Sequence, residues 1–170
     1  MPIVTIIPTS NTTPDPGQGG IAVTGNSNTG HAATNVASLG SDGFPPVLKT
    51  CVWTAFGAGP AGIRTSVKLR ITWSENGSVL GNADTRFTLQ YSTNGGGAWN
   101  TILQHLDVSG PNSATSEITL PVLQDLTQVR VRDELFASTI AGGDEATLTV
   151  TVSDIQIEVV TVIPSVVAIF

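Results

Sequence analysis

Val67-Lys68-Leu69-Arg70-Ile71-Thr72-Trp73 is the stretch whose reading decides the fold class. Val67, Leu69, Ile71 and Trp73 occupy every second position, with Lys68, Arg70 and Thr72 between them, so an extended backbone sends the first set to a core and the second to solvent. Phe87, Leu89 and Tyr91 repeat the pattern around Thr88 and Gln90, as do Val129 and Val131 around Arg130 and Arg132. Leu148, Val150 and Val152 alternate with threonines, and then Ile155, Ile157 and Val159 continue one residue out of phase, which predicts a bulge near Ser153-Asp154. Turn residues at regular intervals separate about seven such runs between Val47 and Val162. The expected fold is all-β, a single antiparallel β-sandwich of jelly-roll or immunoglobulin-like type, with at most one helical turn near Val122-Leu126.

The organisation outside these runs differs. Residues 1–46 read as an extended arm rich in Thr, Asn, Gly and Pro, with no apolar period of a core element over 9–46, residues 47–162 as the sandwich, and 163–170 as an apolar tail. Residues 92–99, Ser92-Thr93-Asn94-Gly95-Gly96-Gly97-Ala98-Trp99, join two alternating runs, and Asn-Gly followed by further glycines supplies the positive φ angles of a hairpin turn. Asn76-Gly77 is a weaker turn signal of the same type. The eight residues 92–99 resemble the Asp-box hairpin of sialidase-like propellers, with Ser92, Gly96 and Trp99 matching and Asn94 in place of the acid. The resemblance implies a stabilised turn with a packed Trp and no catalysis; one copy does not make a propeller.

Charge narrows the function classes. The net charge is −6, with all seven basic residues between Lys49 and Arg132 against five acids there, and six acids without a base from Asp133 onward. No basic face of the kind that neutralises phosphates is indicated, so nucleic acid is not an expected partner. The first eight residues carry no Lys or Arg and no leader-length apolar segment, so no signal peptide is expected. The Val159–Phe170 stretch is too short to span a bilayer and is broken by Pro164, so no membrane partner is expected either. Asn11-Thr12-Thr13 and Asn76-Gly77-Ser78 fit the glycosylation pattern and are read as loop and turn chemistry.

The residues able to carry chemistry do not assemble into a recognised site. Cys51 is the single cysteine, which excludes an internal disulfide and a Cys-based zinc site, and its apolar neighbours predict a buried, inert thiol. His31 falls in the arm and His105 at a strand end expected to be an edge or solvated position. No Gly-x-Ser-x-Gly elbow marks a nucleophile. The acid pairs Asp133-Glu134 and Asp144-Glu145 would suit Ca²⁺ only if a loop brought them together, and no calcium-loop pattern accompanies them. The expectation is therefore no enzyme, no cofactor and no metal.

Two functional readings stand. In its general make-up the chain resembles bacteriophage virion proteins of the capsid decoration (cement) or tail-associated type. That resemblance implies a protein made in the host cytoplasm, located in the virion, and held by contacts with its own copies, as a homo-oligomer, and with a capsid or tail protein. The β-prone ends, Ile3, Val4, Ile6 and Ile7 at the start and Val166, Val167, Ile169 and Phe170 at the finish, are the expected assembly contacts, because exposed strands of this kind need covering. The alternative is a carbohydrate-binding module that stacks sugars on exposed aromatics, with Trp53 and Trp99 as the platforms.

Overall fold

The computed structural model describes residues 2–12, 33–39, 47–139 and 144–162, with the backbone alone for 11–12, 33–39 and 47. Two antiparallel sheets face each other. The first contains β1 (Ile3–Ile6), β3 (Ala33–Leu39), β5 (Ile63–Leu80), β8 (Gly110–Leu120) and β10 (Glu145–Val162), in the order β1–β10–β5–β8, with β3 paired to β10 beside β1. The second runs β2–β4–β9–β6–β7, from β2 (Ser10–Thr12), β4 (Val47–Thr54), β9 (Arg130–Thr139), β6 (Ala83–Ser92) and β7 (Asn100–Leu106). The chain crosses from one sheet to the other at every connection except the β6–β7 hairpin, the alternating passage of a jelly roll.

The alternating residues fill the space between the sheets. Val67, Leu69, Ile71 and Trp73 from β5, Phe87 and Leu89 from β6, Val131 and Leu135 from β9, and Leu148, Val150, Val152, Ile155 and Ile157 from β10 are buried in one core. Trp73 meets Phe87 edge-on across the sheets, with ring centroids 5.4 Å apart. The expected bulge lies between Val152 and Asp154, where the register with β5 slips by one residue and lets both apolar phases of β10 face inward. Among the described residues a single 3-10 turn, Leu126–Gln128, stands at the end of the region foreseen for it, capped by Asp125, whose side chain accepts from the Thr127 amide at 3.0 Å.

Two features differ from the sequence reading. The segment expected to be an arm supplies β1, β2 and β3, which complete both sheets: Ile3–Ile6 pairs with Ile157–Val160, Ala33–Leu39 with Ala146–Val152, and Ser10–Thr12 with Val52–Thr54. These strands cover exposed edges through backbone hydrogen bonds, a role that needs no apolar period. Asn76-Gly77 is no turn: β5 runs straight through it to Leu80, and Gly77 lies so close to the β7–β8 connection that a Cβ there would sit 2.1 Å from the Val108 carbonyl oxygen. The chain turns instead at Gly81, with φ +73° and the Asp144 carboxylate against its α-carbon.

Candidate functional site

The outer face of the second sheet is built from the residues that alternate with the core. On β9 these are Arg130, Arg132, Glu134 and Phe136, and the pairing places them in rows with their neighbours. Leu48, Phe136, Arg86 and Leu106 form one row; Thr50, Glu134, Thr88 and Gln104 the next; Val52, Arg132, Gln90 and Thr101 the third. The face is thus apolar and cationic at one end, polar in the middle, and cationic again at the other.

Each end carries an arginine stacked on an aromatic ring. The Arg132 guanidinium lies 4.3 Å from the Trp99 ring centroid, and Arg86 lies 4.8 Å from that of Phe136. Arg132 also donates from Nε to Gln90 Oε1 at 2.9 Å, and Gln90 Nε2 donates in turn to Thr101 Oγ1. Arg86 is held 3.5 Å from Glu134, and Gln104 Nε2 donates to Thr88 Oγ1 on the floor between the two ends. Phe136 follows Arg132 by four positions on β9, so the stacks lie about 13 Å apart along the strand. Planar guanidinium and amide groups fixed by second partners suit recognition of a ligand rich in hydroxyl or carboxylate groups. Glu134 faces Thr50 and Thr88 across the sheet, so the pair of carboxylates that glycoside hydrolysis uses does not form in its row.

Trp99 owes its place to the hairpin before it. Ser92 Oγ donates to Asn94 Oδ1 at 2.8 Å and accepts from the Gly96 amide at 3.0 Å, while Asn94 Oδ1 accepts from the Ala98 amide at 2.9 Å. Asn94 therefore fills the acceptor role of the replaced acid. Gly95 and Gly96 have φ of +75° and +96°, and the Trp99 ring edge packs on Gly96. Trp53 corrects the other platform: its side chain is 0% exposed, faces the core from β4 and offers no surface for stacking.

The remaining expected residues are dispersed. Ile6 is buried and Val4 half-buried where β1 docks on β10, whereas Ile3 is 66% and Ile7 41% exposed. Val166, Val167, Ile169, Phe170 and His31 lie outside the described residues. His105 stands on the edge strand β7 as expected, one-third exposed, but its ring turns toward Trp73 and Phe87 and its Nδ1 lies 2.6 Å from the Glu75 carboxylate, which also accepts from Asn112 Nδ2. Glu75 continues the buried phase of Trp73, the signal by which the sequence could have revealed it. Asp133 is buried and accepts from the Cys51 amide at 2.8 Å, while Glu134 projects to the opposite face, so the four acids of the calcium expectation do not converge. Among the described residues no cluster of three or more His, Cys, Asp or Glu is placed to hold a metal ion, and no helix is long and apolar enough to cross a membrane. Burial, reinforced by the Asp133 charge, pushes the Cys51 thiol far above its ordinary range.

The first sheet presents a contrasting outer face. Lys68 meets Glu117 at 2.5 Å, and Arg70 meets Glu158 at 2.7 Å and Glu117 at 3.7 Å. The Lys68 bond holds the Glu117 carboxyl below its ordinary range, and the bond to Glu158 holds Arg70 more firmly in its charged form. Every cation on the described part of that face is matched by acids.

No family model and no curated protein matches the chain. Among solved structures it is similar to a CBM4 carbohydrate-binding module at 15% identity, covering 93% of this chain and 94% of that one with a TM-score of 0.35. The N-terminal cellulose-binding domain of Cellulomonas fimi β-1,4-glucanase C is similar at 14% identity, over 89% of this chain and 90% of that one, with a TM-score of 0.36. A CBM61 domain bound to β-1,4-galactotriose is similar at 14% identity, over 73% of this chain and 80% of that one, with a TM-score of 0.33. At these scores no residue correspondence is drawn from the likenesses.

Proposed function

We propose that the protein is a non-enzymatic binding domain that holds a carbohydrate chain across the outer face of its second sheet. The observation that carries the reading is the pair of arginine–aromatic stacks, Arg132 on Trp99 and Arg86 on Phe136, with Gln90, Thr101, Glu134, Thr88 and Gln104 between them. A sugar chain offers alternating hydroxyl groups and apolar ring faces, and this strip offers fixed planar donors, a carboxylate acceptor and ring edges. The strip is already organised by its own hydrogen bonds, so a ligand would order few side chains on binding. The test is affinity electrophoresis and calorimetry on a panel of soluble polysaccharides, with Gln90→Ala and Trp99→Ala beside the parent. Binding that either substitution weakens supports the reading; a parent that binds none of the panel sinks it.

A second reading, a virion component of the decoration or tail-associated kind, has a separate observation in its favour. Ile3 and Ile63 face Val160 and Val162 on either side of the end of β10, and Ile63 is 57% exposed beside a cleft that also exposes Val122 and, at 94%, Leu123. An apolar end of this kind suits contact with another copy or with a capsid or tail subunit. Light scattering on the parent and on Leu123→Ser with Ile63→Ser tests it, and two equally monomeric proteins would remove the self-association part of the reading.

A further inference from the structure

The distribution of cations over the two outer faces bears on the kind of carbohydrate. Lys68 and Arg70 are spent on Glu117 and Glu158, and Arg86 on Glu134. Arg64 donates to the Gln124 and Ala58 carbonyls in the loops at the apolar end. Arg130 and Arg132 are different: neither has a carboxylate within 4.0 Å among the described residues, although the chain as a whole carries six more acids than bases. They stand two positions apart on the outer face of β9, Arg132 against Trp99. The nearest acid along that face of the strand, Glu134, is turned to Arg86.

Both guanidinium groups are also fixed. Arg130 Nη1 donates to the Thr127 and Val129 carbonyls at 2.7 and 2.8 Å, and Arg132 is clamped between the Trp99 ring and the Gln90 amide. These bonds use only some of the five donors of each group. A rigid fork with spare donors matches a planar carboxylate in two-point contact, and fixing it beforehand lowers the entropy lost on binding.

We infer that the glycan this face takes is an acidic one, a chain containing uronic acid residues, with a uronate carboxylate seated at Arg130 and Arg132. This inference rests on the carbohydrate reading above and adds the charge of the ligand to it. The hydroxyls of the same sugar and its neighbours would then meet Gln90, Thr101 and the polar middle of the strip. Attraction across an exposed face weakens with salt, so affinity for such a ligand would fall as ionic strength rises.

The experiment compares polygalacturonate with the same polymer after full methyl esterification, which keeps the backbone and removes the charge. Binding about tenfold tighter to the free acid is expected, the size of one charge-assisted hydrogen bond in free energy, and the ratio should shrink in high salt and in Arg132→Gln. Equal affinity for acid and ester overturns the inference and leaves the carbohydrate reading standing. Binding to neutral glucans but to neither form of polygalacturonate does the same. Failure to bind any polysaccharide removes both. A preference for the acid that Arg132→Gln leaves untouched, with its melting temperature unchanged, overturns the assignment to this pair.

Discussion

Replacing Gly77 by alanine tests the least expected feature of the fold, the passage of β5 through an Asn-Gly pair without turning. The added Cβ would lie 2.1 Å from the Val108 carbonyl oxygen and 2.8 Å from its carbon, both backbone atoms of the loop between β7 and β8. Gly77 is not among the positive-φ residues, so the substitution introduces no torsional strain and the clash acts alone. Overpacking of this kind costs about 1–3 kcal/mol, offset by about 0.4–1 kcal/mol because alanine restricts the unfolded chain. A net loss of about 1–2 kcal/mol in a protein of this size lowers the melting temperature by about 2–8 °C, a shift that circular dichroism or differential scanning fluorimetry resolves. Gly110→Ala is the companion: its φ is +81° with nothing within 4 Å, so it reports conformational strain without a clash. A Gly77→Ala protein that melts at or above the parent would refute the close approach and return Asn76-Gly77 to the turn its sequence suggests.

Four other outcomes follow from the same contacts. Ser92→Ala should cost roughly 1–3 kcal/mol and alter the near-ultraviolet signal of Trp99, because the fully buried hydroxyl serves the Asn94 and Gly96 amides, whereas Asn94→Asp should melt like the parent. His105→Leu leaves the buried Glu75 carboxylate short of a donor and should lose roughly 1–3 kcal/mol; adding Glu75→Leu should recover most of it, and a double mutant no better than the single one would contradict the pairing. Cys51 should resist thiol reagents in the native protein at mildly alkaline pH and react at the rate of unfolding, since burial and Asp133 suppress its thiolate; rapid native labelling would disprove that burial. Glu117 and Asp125 titrate below their unfolded values, Glu117 because of Lys68 and Asp125 because of the Thr127 hydroxyl and amide. Their stabilisation is therefore present above the unfolded carboxylate range and lost as pH falls through their lowered values, so Glu117→Gln with Asp125→Asn should flatten the acid limb of a melting-temperature profile.

The parts of the fold that bury apolar side chains were legible as period-two runs, because burial on one face imposes that pattern on the residues themselves. The β5, β6, β9 and β10 cores and the bulge at Val152–Asp154 follow from it, and the Ser92–Trp99 hairpin from the turn residues between two such runs. Of the edge strands, β1 shows in the β-prone run from Ile3 to Ile7, whereas β2 and β3 were not legible, since they join the sheets through backbone hydrogen bonds that any residue except proline can donate. Gly77 misled for a related reason. A glycine is required both where φ is positive and where another backbone comes close, and the sequence does not say which. For the candidate site, alternation alone assigned Arg130 and Arg132 to the solvent side of their strand. It does not report that Gln90 and Trp99 converge on Arg132, because strands pair across the fold at separations the chain does not display. Trp53 shares the buried phase of Cys51, but Lys49, the charged residue of the run, lies on that phase too and masks which face is inward.

The difference between the two outer faces gives the site its physical logic. A sheet face whose cations and acids are already matched gains little from a charged ligand, since each new contact displaces one that exists; Lys68, Arg70, Glu117 and Glu158 put the first sheet in that position. On the second sheet Arg132 is oriented by neutral or weakly competing partners, a glutamine oxygen and a ring face, which hold the guanidinium without neutralising it. Stiffening a cation while leaving its charge uncompensated adds nothing to folding that an acid partner would not add more cheaply. For the proposed ligand it would prepare a binding group, a donor array that needs neither desolvation of a salt bridge nor reordering of a long side chain. Arg130, bonded to two carbonyls, follows the same rule one row along the strand. The asymmetry between the faces is thus one of pairing: the first sheet's outer charges are matched with one another, while Arg130 and Arg132 of the second have no carboxylate within 4.0 Å among the described residues.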